Sequence, residues 1–386
     1  MAPENPQRVR ERVQHHTDVS LWFALLFLLG FGLVMIYSAS SYTAFADYGD
    51  QMYYLKRQAI SAGVGLIAML IVAHIPYRFF AKFYVIGIFV SAVLIILVLS
   101  PLGVSSHGAR RWIKIANGFN LQPAEVAKVA VILFMAVMIA RLGSKVKQWQ
   151  AIIVLFAPPV VLAGMIYAIT DNLSSAIIVG AIACLMFFVA RPDYKIFILI
   201  TLLVVVLAAG LVMYVKNSDD SSGGGFRMAR IRVWLDPESD PDDKGFQTLQ
   251  ALYAIGSGGV KGKGLGQSMQ KLSFLPESQN DMIFSIICEE LGLLGAASIM
   301  LMFTILIWRM IIIGNNAPDL FGGMLVTGVV THIAVQAVLN IAVVTNTVPN
   351  TGISLPFISY GGSSVIFLLI EMGMVLSVAR GIEYRG

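Results

Sequence analysis

The stretch that decides the architecture is "FLPESQNDMIFSIICEELGLLGAASIMLMFTILIW", Phe274 to Trp308. From Met282 onward it stays apolar for more than the roughly 20 residues that a helix needs to cross a bilayer, so residues 282–313 read as a membrane span. The span nevertheless opens at Asp281 and carries Glu289 and Glu290 in its first turns. A carboxylate at mid-bilayer costs about 2.5–3.5 kcal/mol on insertion scales, so acids here point to pairing or to use.

Working outward, the chain repeats this apolar pattern. Only 13% of its residues are charged and 57% are hydrophobic, against about 25% charged in a soluble domain. About ten stretches are long enough to span, centred on 19–41, 58–75, 81–100, 124–142, 151–169, 173–190, 196–215, 282–313, 320–344 and 354–379. The expected fold is an all-α polytopic membrane protein, with a tail at 1–18 and one membrane domain over 19–386. The first span is too long for a cleaved signal peptide, lacks a small-residue cleavage site and reads as an anchor. Cys184 and Cys288 both fall inside spans, which argues against a disulfide framework or a metal cluster. The five histidines (His15, His16, His74, His107, His332) show no zinc-binding spacing.

Basic residues set the expected orientation. Arg8, Arg10, Arg12, Arg78, Lys82, Arg141, Lys145, Lys147, Arg191, Lys195, Arg309, Arg380 and Arg385 fall in both tails and in alternate short loops. The positive-inside rule places them in the cytoplasm, with both termini, and puts the long loop 216–280 outside, between the seventh and eighth spans. "GARRWIK" (Gly108–Lys114) breaks the rule by carrying Arg110, Arg111 and Lys114 to the outer side, which suggests an anionic partner there. The loop, roughly 65 residues long, begins as the flexible "SDDSSGGG" (Ser218–Gly225). It continues through the ordered pattern "FRMARIRVWLDP" (Phe226–Pro237) and a short amphipathic helix within Lys244–Gly259.

Four features could carry chemistry. Asp281 suits either a helix cap or a general base beside the loop's lysines and arginines. At 100° per residue it shares a face with Ser285 and Glu289, whereas Glu290 faces away and reads as an interhelical hydrogen-bonding group. The run "GSGGVKGKGLG" (Gly256–Gly266) fits no nucleotide motif. It reads as a flexible turn or as a nest of N–H groups that, with Lys261 and Lys263, receives a phosphate. In "QPAEVAK" (Gln122–Lys128), Glu125 and Lys128 stand three apart and are expected to pair, whether for structure or in a site.

The segments "MIYSAS" (Met35–Ser40), "KRQ" (Lys56–Gln58), "GARRWI", "QPAEVAK", "WLDP" (Trp234–Pro237), Gly245–Glu277 and "PFISYGGSS" (Pro356–Ser364) resemble, in this order, the SEDS family of bacterial cell-wall polymerases. The tail Asn346–Ser364 is more similar to its division and sporulation branch than to its elongation branch. The resemblance implies ten membrane helices and a peptidoglycan glycosyltransferase using lipid II. It also implies an essential aspartate before the eighth helix, matched by Asp281, and a class B penicillin-binding protein among the other division or sporulation partners. Met282 replaces an aromatic of the family pattern, and Ala124 replaces a serine. In "TDNLSSA" (Thr170–Ala176), Asn172 stands where the family carries an aspartate, so no catalytic role passes to Asp171.

These readings meet in one expectation. Asp281 takes the proton from the acceptor sugar's 4-hydroxyl, and Arg57, Arg110 and Arg111, followed by Lys261 and Lys263, stabilise the departing lipid pyrophosphate. Glu125, Lys128 and Ser363 complete the expected substrate-binding set. No cofactor is required, although a divalent cation could arrive on the pyrophosphate, and no nucleic-acid partner is expected. The alternatives are a flippase for the lipid-linked precursor, which would need ionisable groups near mid-membrane, and a non-catalytic division scaffold.

Overall fold

The computed structural model describes residues 19–382 except 107–108, 117–118, most of 192–211, 216–225, 240–244 and 273. Among the described residues nine helices are long and apolar enough to cross a membrane. They are α1 (Val19–Tyr48), α2 (Tyr53–His74), α3 (Tyr77–Leu97), α4 (Pro123–Leu142), α5 (Trp149–Thr170), α6 (Leu173–Ala190) and, after two short loop helices α7 (Phe226–Leu235) and α8 (Phe246–Gly258), α9 (Ile283–Asn315), α10 (Leu320–Val344) and α11 (Gly362–Arg380). The 1–18 tail, Arg385 and half of the 196–215 span lie outside the described residues. The described spans match the apolar stretches, with α2 and α3 starting four to five residues earlier than expected and larger shifts at two ends. The first runs on to Tyr48, and the last starts at Gly362 because residues 353–360 are non-helical.

One element departs from the all-α expectation. Between α3 and α4 the chain forms a three-stranded antiparallel sheet, β1 (Gly103–Ser106), β2 (Ala109–Ala116) and β3 (Phe119–Leu121), in the order β1-β2-β3. Ile113 is opposite both Gly103 and Leu121. Too short and charged to span, this segment can only satisfy its backbone by pairing strands outside the bundle.

The contacts Arg111–Asp171, Ser174–Thr351, Arg230–Asn350 and Asn340–Asp281 gather the sheet, the loop helices and the segment between α10 and α11 at one end of the bundle. Arg78, Lys82, Arg141, Lys145, Lys147 and Arg380 lie at the other end. The most enclosed helices are α11 and α4, and α3 is the least. Close approach of α2 and α11 depends on Gly373, where a Cβ would be 2.6 Å from the Met69 carbonyl oxygen.

Helix α9 is broken at Gly292 (φ 66°, ψ −163°), a conformation essentially reserved for glycine. In an unbroken helix the N–H groups of Leu293 and Leu294 would reach the carbonyls of Glu289 and Glu290. Here they donate instead to Gly259 O (2.9 Å) and Val260 O (3.2 Å), while Glu289 O and Glu290 O accept from the N–H groups of Lys263 (3.0 Å) and Gly264 (2.9 Å). The glycine-rich run is therefore spliced into the break. Neither of the readings made from sequence holds: the run is not a plain flexible turn, and the amides of residues 262–264 are consumed by backbone carbonyls rather than offered to a phosphate.

The same loop answers the question of the two glutamates, both fully buried. Glu289 accepts from Lys263 Nζ (2.7 Å), Met269 N (3.1 Å), Gln270 N (3.3 Å) and the Ser268 hydroxyl. Glu290 accepts from Lys271 Nζ (3.0 Å) and, across to α1, from Ser38 Oγ (2.7 Å). Glu290 is thus the interhelical group expected from its face, and Glu289 is equally structural.

Gly292→Ala should be strongly destabilising. The backbone conformation alone costs about 1–3 kcal/mol for a non-glycine residue, and the new Cβ would meet the Gly262 nitrogen at 2.3 Å. Gly30→Ala, on α1 with open space around it, is the control. The thermal midpoint of the detergent-solubilised protein should fall by several degrees for the first and hold or rise for the second.

Candidate active site

The middle of α10 is apolar apart from residues four apart, which place His332, Gln336 and Asn340 on one stripe. All three are buried, so each needs partners. Asn340 Nδ2 donates to two backbone carbonyls at once, Asp281 O (2.8 Å) and Ile353 O (2.6 Å). Gln336 Nε2 donates to Ser354 O (3.0 Å), and its Oε1 faces Lys128 Nζ (3.4 Å) and His332 Nε2 (2.9 Å). His332 Nδ1 meets the Glu371 carboxylate of α11 at 2.8 Å. Glu125 and Lys128 of α4 approach to 2.8 Å, almost wholly enclosed, as their spacing suggested.

Asp281 therefore stands where α10 pins the chain entering α9. The N-cap position of α9 is Met282, which makes no side-chain cap hydrogen bond, and Asp281 precedes it by one residue. Its Oδ1 is enclosed and has no hydrogen-bond partner among the described residues. Its Oδ2 lies 3.6 Å from where a Cβ on Gly352 would stand. Burial, followed by the charge of Glu277, pushes its pKa up to about 7; the N–H groups of Asp281 and Met282 and the charge of Arg230 pull the other way.

The cations approach one hub, the non-helical segment 345–361. Lys128 comes to it through Gln336 and Ser354. Arg230 of α7 donates to Asn350 O (3.2 Å). Arg57 lies over the Tyr53 ring at 4.6 Å; burial raises the Tyr360 hydroxyl pKa and the neighbouring Arg57 lowers it. The backbone N–H of Tyr360 in turn donates to Gln279 O (2.9 Å), close before Asp281. Arg111 donates to Asp171 O (3.0 Å), beside the start of α6, where Asn172 caps the helix and the Ser174 hydroxyl donates to Thr351 O. Ser363 is buried in the first turn of α11.

Four non-glycine residues, Asp171, Glu277, Asn346 and Phe357, adopt positive φ, all in segments around this hub. Such strain collects where surrounding structure fixes a functional geometry.

Other expected residues stand apart. Arg110 and Arg111 are neighbours in β2 at a β-bulge, where the register steps from Val104–Trp112 to Ser105–Arg110 and leaves Arg111 unpaired in the ladder; Arg110 is exposed and Arg111 half-buried. Lys263 is committed to Glu289, and Lys261 is exposed on the spliced loop. Sequence reading missed the stripe on α10. Its signal, H-x-x-x-Q-x-x-x-N in an apolar helix, was present, but His332 was weighed only as a metal ligand. Among the described residues no group of three or more His, Cys, Asp or Glu side chains could hold a metal ion.

Fold and site define a multi-pass membrane protein with a buried acid held at one end of its bundle. The chain belongs to the FtsW/RodA/SpoVE family, the SEDS proteins: the profile described as "Cell cycle protein" matches residues 19–384. It is 37% identical to Stage V sporulation protein E of Bacillus subtilis over 95% of this chain and 98% of that one. It is 40% identical to a protein of Geobacter metallireducens named probable peptidoglycan glycosyltransferase FtsW, over 94% of each. Its fold resembles a chain from a solved peptidoglycan synthase complex, described as coordinating polymerization and crosslinking (TM-score 0.74, 23% identity, 96% of this chain and 99% of that one). It also resembles crystalline Thermus thermophilus RodA (TM-score 0.66, 24% identity, 96% and 98%).

Removing one member of the Glu125–Lys128 pair strands a charge in the bundle. Glu125→Gln and Lys128→Met should each cost roughly 3–5 kcal/mol, whereas the double variant should recover most of the thermal midpoint. Equal midpoints for single and double variants would show that the two residues are not coupled.

Proposed function

We propose that this chain is a peptidoglycan glycosyltransferase that polymerises lipid II, with Asp281 as general base. The observation that carries the reading is the state of Asp281: a carboxylate clamped through its backbone by Asn340, with an enclosed oxygen lacking a partner among the described residues and a pKa of about 7. A base is most effective when its pKa lies near the working pH. The hub beside it is approached by Lys128, Arg57, Arg111 and Arg230, a cationic setting suited to a pyrophosphate leaving group. The name of the Geobacter metallireducens relative, probable peptidoglycan glycosyltransferase FtsW, agrees with this activity.

In this mechanism the acceptor's 4-hydroxyl gives its proton to Asp281 as the oxygen attacks the anomeric carbon of the growing chain. The bond to the lipid pyrophosphate breaks, and its electron pair leaves on a phosphate oxygen that the cations stabilise. The Asp281 end of the bundle faces outward from the bacterial cytoplasmic membrane, with both termini in the cytoplasm and a class B penicillin-binding protein as crosslinking partner. Arg57, Arg111 and Lys128 are the substrate-binding cations that the geometry favours, with Ser363 near them; Arg110, Lys261 and Lys263 have weaker support.

One observation favours the flippase reading. His332 and Glu371 put ionisable groups at mid-span, where the sequence analysis expected chemistry only at the outer mouth. Purified protein in liposomes with labelled lipid II separates the readings: glycan chains support polymerisation, and translocation without chains supports transport.

The protonation of Asp281 sets the pH dependence. Below about 7 the carboxyl is neutral and cannot accept a proton, so kcat/KM should rise with pH and level off above 7. Glu277→Gln removes a charge that raises this pKa and should move the limb to lower pH. Asp281→Asn should reduce polymerisation by about 10²–10⁴-fold. Because the fold favours the neutral acid, ionisation costs stability as pH rises from the ordinary carboxylate range through 7. The Asn variant should therefore be at least as heat-stable as wild type at pH 8; near-normal polymerisation by it would end the assignment.

Arg111→Gln should lower turnover far more than Lys147→Gln at the opposite end of the bundle. Equal effects would make Arg111 structural.

A further inference from the structure

His332 is the middle residue of α10 (Leu320–Val344), on the order of 18 Å from either helix end at about 1.5 Å per residue. Neither it nor Glu371 takes part in the chemistry above, and both are fully buried. Ionisable groups at such depth are expensive and by default mark function. Their hydrogen bonds leave little freedom in how they act.

Gln336 fixes the logic. One end of its amide faces Ser354 O at 3.0 Å, a backbone carbonyl that can only accept, so that end is the NH2. The other end is then the oxygen, and it faces Lys128 Nζ (3.4 Å) and His332 Nε2 (2.9 Å). A lysine ammonium only donates, and an oxygen can be met only by a donor, so His332 must carry a proton on Nε2. Its Nδ1 lies 2.8 and 3.0 Å from the two oxygens of Glu371. Whether the proton between them sits on the imidazole or the carboxyl, the arrangement keeps Nε2 as a donor.

We infer that His332 and Glu371 are positioning residues for Lys128: they hold a donor on Nε2, which holds the Gln336 oxygen, which is the second partner of the Lys128 ammonium beside Glu125. The inference rests on the proposed polymerase only in assigning Lys128 to the substrate. Without the Nε2 donor, the Gln336 oxygen is held only from the far end of its amide by the Ser354 bond, and the 3.4 Å contact to Lys128 loosens.

Two double variants test this, each removing the buried pair without stranding a charge. His332→Gln with Glu371→Leu places an amide donor where Nε2 stood; His332→Leu with Glu371→Leu places none. Both should melt within a few degrees of each other. The first should retain most of the kcat/KM for lipid II polymerisation, and the second should lose about tenfold or more, the size expected for one hydrogen bond to a charged group. Equal kcat/KM in two folded variants would overturn the inference. Should wild type form no glycan, the polymerase reading fails separately, and thermal midpoints decide the positioning claim. Lys128→Met made in wild type and in the two doubles should shift the midpoint non-additively only where the donor is kept. Additive shifts throughout would refute it.

Discussion

The side-chain amide of Asn340 holds the site together, because one nitrogen donates to two carbonyls from different parts of the chain, Asp281 O and Ile353 O. It joins the lead-in to α9 to the segment before α11, and it does so from the buried stripe of α10. Were either carbonyl to move away, the Asp281 carboxylate would lose its place relative to the cations approaching segment 345–361. The contact is made to the backbone, so Asp281 is held still while its side chain remains available for chemistry.

Around that clamp the bundle obeys a single rule: a buried carboxylate needs donors of its own. Glu289 has Lys263, Glu290 has Lys271, Glu125 has Lys128 and Glu371 has His332. In a bundle surrounded by lipid an unmatched charge has no water to fall back on, which makes each pair a condition of folding. Asp281 differs in having no ammonium or imidazolium paired with it in an ion pair among the described residues. Its Oδ1 is enclosed without a partner, and its pKa stands near neutrality. The contrast between satisfied glutamates and an unsatisfied aspartate within one short stretch of α9 and its lead-in separates structural from functional acids better than burial does.

Much of this was legible in the sequence. The spans were, because apolar length is a property of contiguous residues, and so was the Glu125–Lys128 pair, which needs only helical spacing. The face carrying Glu290 also followed from spacing. The small sheet at 103–121 was not, because short charged strands give no long periodic signal. The splice at Gly292 depends on a loop and a helix meeting, and no local pattern encodes that meeting. Adjacent Arg110 and Arg111 looked equivalent as two positive charges. A β-bulge at this pair breaks the ladder beside Arg111, which donates to Asp171 O, while Arg110 stays exposed. The stripe of His332, Gln336 and Asn340 was visible as a spacing of four, but its partners come from α4, α9 and α11 and the segment between α10 and α11.

The splice also fixes an order of assembly. Lys263 and Lys271 precede Glu289 and Glu290 in the chain by 26 and 19 residues. During synthesis the neutralising ammonium groups leave the ribosome first, so each acid of α9 emerges after its counter-charge. The two leucines that follow the break find the carbonyls of Gly259 and Val260 already made. Biogenesis of this helix therefore depends on the segment made before it. A deletion in 259–271 would be read by the insertion machinery as a defect in α9, although α9 itself would be unchanged.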